Sequence, residues 1–265
     1  APRHGNWPAD CERRKPDDRP DRKPFRHRHP RRDCPPAQGT QCGDPGALLP
    51  EPGNPGPGGL HRRFAGTVEE GGGHRGTSGV EWHVDPIDGT TSFLYGLPTW
   101  CVSIGAQDSD GALVGAVFLP DLDEMFAARR GHGATLNDAP LHCSGLSDVS
   151  KALVATGFSY TPAQRTVQSR RLTEFIHRIR DVRRMGAAAI DICFVACGRL
   201  DAYFEENLHS WDILAAELIA REAGARGGDF SGGPLRAPEV LVATPGVFDA
   251  LSAMLVDAVR KHPHA

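Results

Sequence analysis

From Val80 onward the chain alternates short apolar runs with turn signals. Val80 to Asp85 reads as a strand ending in carboxylates. Trp100 to Gln107 and Ala112 to Leu119 are two more apolar runs, split by the turn signal Ser109-Asp110-Gly111. Met125 to Ala128 reads as the next strand, closed by Gly131-His132-Gly133-Ala134, and Ala152 to Thr156 as another. Gln164 to Arg180 has helical spacing, with Leu172, Phe175, Ile176 and Ile179 on one face. Ala187 to Ala196 predicts a second, more apolar helix, and Ala202 to Glu205 a strand. Asp212 to Ala223 predicts a helix that Gly224 ends. Val240 to Thr244 closes the strands and Val247 to Arg260 the helices. Hairpin-linked strands predict an antiparallel-sheet lobe over 67–147. Strands alternating with helices predict an α/β lobe over 148–265. No internal repeat is visible.

Residues 1–66 break this pattern. Arg19-Pro20-Asp21-Arg22-Lys23-Pro24 and Pro50-Glu51-Pro52-Gly53-Asn54-Pro55-Gly56-Pro57 have neither period. Such a low-complexity segment buries too little apolar surface to offset its ordering entropy, so disorder is expected. An arginine-rich arm gripping RNA or acidic partners is the sharper alternative, but its arginines alternate with acids and prolines and lack interleaved aromatics. The net charge of −3, from 30 basic and 33 acidic residues, gives no basis for a nucleic-acid or membrane-surface partner. No apolar stretch reaches a membrane span, and the N-terminus has no hydrophobic signal core, so a cytoplasmic location is expected. The seven cysteines have no framework spacing and read as mostly reduced thiols.

The densest chemistry lies in Trp82-His83-Val84-Asp85-Pro86-Ile87-Asp88-Gly89-Thr90-Thr91-Ser92-Phe93. Two carboxylates flank a stiffening proline at a strand end, and Gly89 lets backbone approach a ligand. Thr90 and Thr91 stand where a helix could begin, so hard oxygen ligands would meet an anion-binding terminus. An Asp-Pro turn with an Asx-type cap would leave the same sequence. Asp212 opens an amphipathic helix and would serve as its N-cap. Glu69 and Glu70 precede a glycine run, Gly71 to Gly73, that suits a flexible lid or an idle loop. Cys193 and Cys197, at helical spacing, could bind zinc but read better as small hydrophobes on a buried face. Ser210 beside His209 lacks a third member and an oxyanion hole. His83 reads as a packed or exposed strand residue.

Together these segments resemble the inositol monophosphatase family. Residues 82–98 match its Asp-Pro-(Ile/Leu)-Asp-Gly-Thr-(Thr/Val)-Asn-Phe signature, with Ser92 in place of the usual Asn, and residues 211–224 match its Trp-Asp-x-x-Ala signature, which closes on Glu-Ala-Gly. Arg184 to Asp191 and Gly198 to Glu205 are similar to the family as well. Two long matches in order are far more specific than one. The resemblance implies a layered αβαβα fold of the α+β / α/β kind, a homodimer, lithium sensitivity and Mg²⁺-dependent hydrolysis of a small phosphorylated polyol. It implies that Glu69, Asp85, Asp88 and Asp212 hold two or three Mg²⁺ through carboxylates, and Ile87 through its carbonyl. Thr90, paired with Glu69, would orient the attacking water, with Asp88 also in the catalytic group. Gly89 and Thr90 would hold the phosphate through N–H groups. Gly186, Ala187 and Ala188 would line the substrate pocket, Glu205 would accept from substrate hydroxyls, and Asp212 would also touch substrate. Phosphoryl transfer rests on positioning and charge neutralisation, which suits such a set.

The departure from the family lies upstream. Residues 1–66 lack the long helical region and the Pro-Val-Thr-x-Ala-Asp-like segment that the resemblance implies. The codons for Phe25-Arg26-His27-Arg28-His29, read one nucleotide later, permit Phe-Val-Thr-Asp-Thr, so a shifted reading frame would account for the stretch. A chain made as written would leave apolar sheet surface uncovered and could be a degenerate, non-catalytic relative. Leu94-Tyr95-Gly96-Leu97-Pro98 and Glu205 favour inositol phosphate. Histidinol phosphate, fructose 1,6-bisphosphate and 3′-phosphoadenosine 5′-phosphate are the alternatives.

Overall fold

The computed structural model describes residues 71–75, 79–235 and 238–263. The expected disorder of 1–66 and the expected ligand Glu69 therefore lie outside the described residues. The described residues all fall in the compact unit Asn54–Ala265.

The alternating runs fold as two sheets. β1 (Gly72–Arg75), β2 (Glu81–Asp88), β3 (Cys101–Asp108), β4 (Gly111–Leu119), β5 (Glu124–Arg129), β6 (Ala134–Leu136) and β7 (Ala139–Pro140) pair in chain order as a seven-stranded antiparallel sheet. A short helix α1 (Thr90–Leu94) follows β2. The five-stranded sheet runs β11 (Arg226–Gly228), β12 (Glu239–Ala243), β10 (Ala202–Glu206), β8 (Leu153–Thr156), β9 (Asp181–Arg183). β8 is parallel to β9 and β10, whereas β12 is antiparallel to β10 and β11. α3 (Ala188–Ala196) and α4 (Ser210–Glu222) lie between the sheets, in a core uniting Val117 and Phe126 with Ile190, Ile219 and Val242. α2 (Pro162–Phe175) and α5 (Pro245–Lys261) pack on the far face of the second sheet, around Phe175, Phe204, Phe248 and Leu251. The described layers thus run β-α-β-α. The close approach of α4 explains Gly105 and Gly115: a β-carbon on Gly115 would lie 2.6 Å from the Ala215 carbonyl oxygen. On the opposite face of the same sheet Trp82, Val84, Ile104 and Met125 are exposed.

Four expectations need correction. Gly72 and Gly73 form no lid: they pair with Val84 and His83 as part of β1. The helix expected to reach Arg180 ends at Phe175, because a 3₁₀ turn (Ile176–Arg178) feeds the chain into β9 beside β8. Ile176 leaves the apolar stripe there and is exposed, while Phe175 and Ile179 stay buried. The helix expected to open at Asp212 opens at Ser210, with Asp212 two residues on, in the first turn. The short strands β6, β7, β9 and β11 were not foreseen, since each is only two or three residues long.

Candidate active site

Sequence places Asp85 and Asp88 three residues apart, which in a regular strand would aim them at opposite faces. β2 avoids this with a bulge. Asp85 pairs with Ser103 and Asp88 with Cys101, so three steps on β2 oppose two on β3. Cross-strand partners share a face, as do residues two apart, so both carboxylates emerge on one side. Pro86, which has no N–H to give the ladder, sits at the irregularity. The Asp85 carboxylate also accepts from the Ile87 N–H (3.0 Å), the Asx geometry that the sequence allowed.

Each acid is held by backbone. The Asp88 carboxylate, almost wholly buried, accepts from the Ala189 N–H at 2.8 Å. It caps the first turn of α3, whose own N-cap, Ala187, has no side chain for the task. Asp212 accepts from the His209 N–H at 2.7 Å, one half of a capping box, and is not the N-cap itself. The Thr90 hydroxyl donates to the Ile87 carbonyl at 2.9 Å. Gly89 has φ 86°, and a β-carbon there would lie 2.7 Å from the Thr99 carbonyl oxygen and 3.0 Å from the Ala187 β-carbon. Ala187 is thus buried behind Gly89, whereas Gly186 and Ala188 line the cleft.

Asp85, Ile87, Asp88, Gly89, Thr90, Gly186, Ala188, Glu205 and Asp212 all line one cleft of about 430 Å³. Residues from the first and second sheets and from α4 thereby meet. Gly71 lies on the same wall, its backbone against the Trp211 indole, where a β-carbon would come within 2.4 Å of the ring. Sequence reasoning missed Arg184, Asp191, His209 and Trp211 as cleft residues. Their signal was positional only: Arg184, Asp191 and Trp211 lie within segments similar to the family, and His209 adjoins one.

The cleft is strongly acidic. Burial, then the neighbouring Asp212 charge, pushes the Asp85 carboxyl up to about 6. The Asp212 carboxyl is raised as well, first by its burial. Burial and the Asp85 charge raise Asp88 well above the carboxylate range. Burial also raises Asp191 and Glu205. Asp191 leaves one carboxylate oxygen buried without a hydrogen-bond partner. Such a group of acids is unstable as bare anions, and a cation would relieve it. Among the described residues no three His, Cys, Asp or Glu side chains close into a ligand group by themselves. The fourth expected acid, Glu69, is outside that set.

The other candidates resolve differently. Cys193 is buried in the core and the Cys197 thiol donates to the Phe194 carbonyl, both packed as small apolar groups. Ser210 bonds to the buried His83 at 2.9 Å, tying β2 to the start of α4, while His209 stacks on Trp211.

The profile described as the inositol monophosphatase family matches residues 61–263. An inositol-1-monophosphatase of Mycobacterium leprae is 42% identical over 186 residues, covering 66% of this chain and 62% of that protein. A relative named Nus factor SuhB, from Pasteurella multocida, is 42% identical over 157 residues, 59% of each chain. The chain thus spans about three fifths of these relatives. Among solved structures, inositol monophosphatase from Anabaena (Nostoc) sp. PCC 7120 superimposes with a TM-score of 0.64 at 32% identity, covering 77% of this chain and 81% of that one. No helix among the described residues is long and apolar enough to cross a membrane.

Proposed function

The chain belongs to the inositol monophosphatase family, and we propose that it hydrolyses a small phosphate monoester with Mg²⁺, inositol phosphate being the substrate that its cleft suits best. The observation that carries this reading is the β2 bulge, which turns Asp85 and Asp88 to one face where Asp85 meets Asp212. The donor set is all oxygen, as a hard cation prefers, and burial makes its charge costly without one. Asp85, Asp88, Asp212, the Ile87 carbonyl and Glu69 would hold the ions. Glu69 precedes the cleft residue Gly71 by two positions, a reach of at most about 7 Å. When bound, Mg²⁺ would acidify water and stabilise the departing alkoxide.

The chain's own residues do the rest. The N–H groups of Gly89 and Thr90, at the open start of α1, receive the phosphate oxygens. Thr90, its hydroxyl held by the Ile87 carbonyl, orients the attacking water together with Glu69. Glu205, fixed by a hydrogen bond from the Tyr203 hydroxyl, accepts from hydroxyls of the leaving alcohol. Gly186 and Ala188 keep that end of the cleft open. The test is phosphate release from inositol 1-phosphate, alone and against histidinol phosphate, fructose 1,6-bisphosphate and 3′-phosphoadenosine 5′-phosphate. Turnover should need Mg²⁺, and Asp88→Asn should lower it by at least about 100-fold. Undiminished release in EDTA, or by Asp88→Asn, would sink the reading. Inert but folded wild-type protein would point instead to a non-catalytic relative.

A further inference from the structure

Two charged side chains in the cleft rest on glycines. The Glu205 carboxyl lies across Gly157: a β-carbon there would fall 1.9–2.1 Å from its three carboxyl atoms. The Arg184 guanidinium lies across Gly186, where a β-carbon would fall 2.5 Å from Nη1. Gly186 also has φ 94°, so glycine is required there twice over. Arg184 is the one Arg or Lys among the described residues lining the cleft, and its charge acts on both Glu205 and Asp191. Its side chain is exposed, so its donors are open to a ligand.

We infer that Arg184 is a specificity-determining residue, forming with Glu205 a donor–acceptor pair that reads adjacent hydroxyls of the leaving alcohol. The inference rests on the phosphatase reading above and deepens it. Glu205 offers only acceptors and Arg184 only donors. Neighbouring hydroxyls of a polyol can each give to one and take from the other. The guanidinium's planar fork spans two oxygens at once, which an ammonium cannot copy. The opposite charges make the pair close to neutral, so it suits an uncharged polyol better than a second phosphate.

The test compares inositol 1-phosphate with p-nitrophenyl phosphate, whose leaving group has no neighbouring hydroxyls, at saturating Mg²⁺. Arg184→Met should raise KM for inositol 1-phosphate by about 10- to 100-fold, the effect of losing hydrogen bonds from a charged donor. Its kcat/KM for p-nitrophenyl phosphate should stay within about twofold. Arg184→Lys should restore only part of the loss. Calorimetry of free inositol binding in the presence of Mg²⁺ and inorganic phosphate should show the same order of affinities, with no turnover involved. Equal losses on both esters, or no loss on either, would overturn the inference while leaving the phosphatase reading intact. A wild type that hydrolyses neither ester would overturn both.

Discussion

Replacing Asp85 with Asn should stabilise the metal-free protein while destroying its activity. Asn keeps the shape and can still accept the Ile87 N–H bond that Asp85 accepts at 3.0 Å. It removes the charge that sits beside Asp212 and Asp88. The folded protein holds the Asp85 proton up to about pH 6, the unfolded chain only to 3.8. The penalty is therefore absent below pH 4, grows as pH rises to 6, and is complete at neutral pH. Full ionisation costs the fold about 3 kcal/mol, which partial exposure to solvent trims to about 1–2 kcal/mol. Thermal melts in EDTA at pH 7.5 should put Asp85→Asn about 2–8 °C above wild type. At pH 4 the two should melt together. Mg²⁺ should then raise the wild type and leave the variant nearly unmoved. An Asp85→Asn protein that melts lower than wild type in EDTA at pH 7.5, or a gain that persists at pH 4, would refute the reasoning.

Gly89→Ala meets both a left-handed backbone and the Thr99 carbonyl at 2.7 Å, so it should cost about 1–3 kcal/mol in a denaturant titration and abolish turnover. Arg171 and Glu206 form a buried ion pair that joins α2 to β10, next to Glu205. Arg171→Met should cost about 3–5 kcal/mol by stranding Glu206, and a companion Glu206→Leu should recover much of it, read by urea midpoints. The Cys101 and Cys193 thiols are buried and held well above their ordinary pKa, first by that burial, so they should resist a thiol reagent until the protein unfolds. Labelling of either thiol in the native protein at the rate of a free one would contradict this.

Much of the fold was legible because its periods are clean. β3, β4, β8, β10 and β12 were placed within a residue or two, as were α3 and α5, since each carries an uninterrupted apolar run or stripe. The failures have local causes. The β2 bulge arises from pairing with β3, which no property of Asp85-Pro86-Ile87-Asp88 alone specifies. Helix α2 stopped early because β8 offered a strand partner across the chain. Asp88 gave no hint that it would cap α3, a contact spanning 101 residues. Arg184 was hidden for a related reason: it shares the cleft with Glu205, which is no neighbour of it in sequence.

Crystals soaked in Mn²⁺, with its anomalous signal mapped, offer the sharpest test of where the cations go. The account predicts peaks within bonding distance of the Asp85, Asp88 and Asp212 carboxylates, with Glu69 on the same ions. Manganese bound elsewhere, or a cleft that stays empty of it while Glu69 points to another surface, would contradict the proposal.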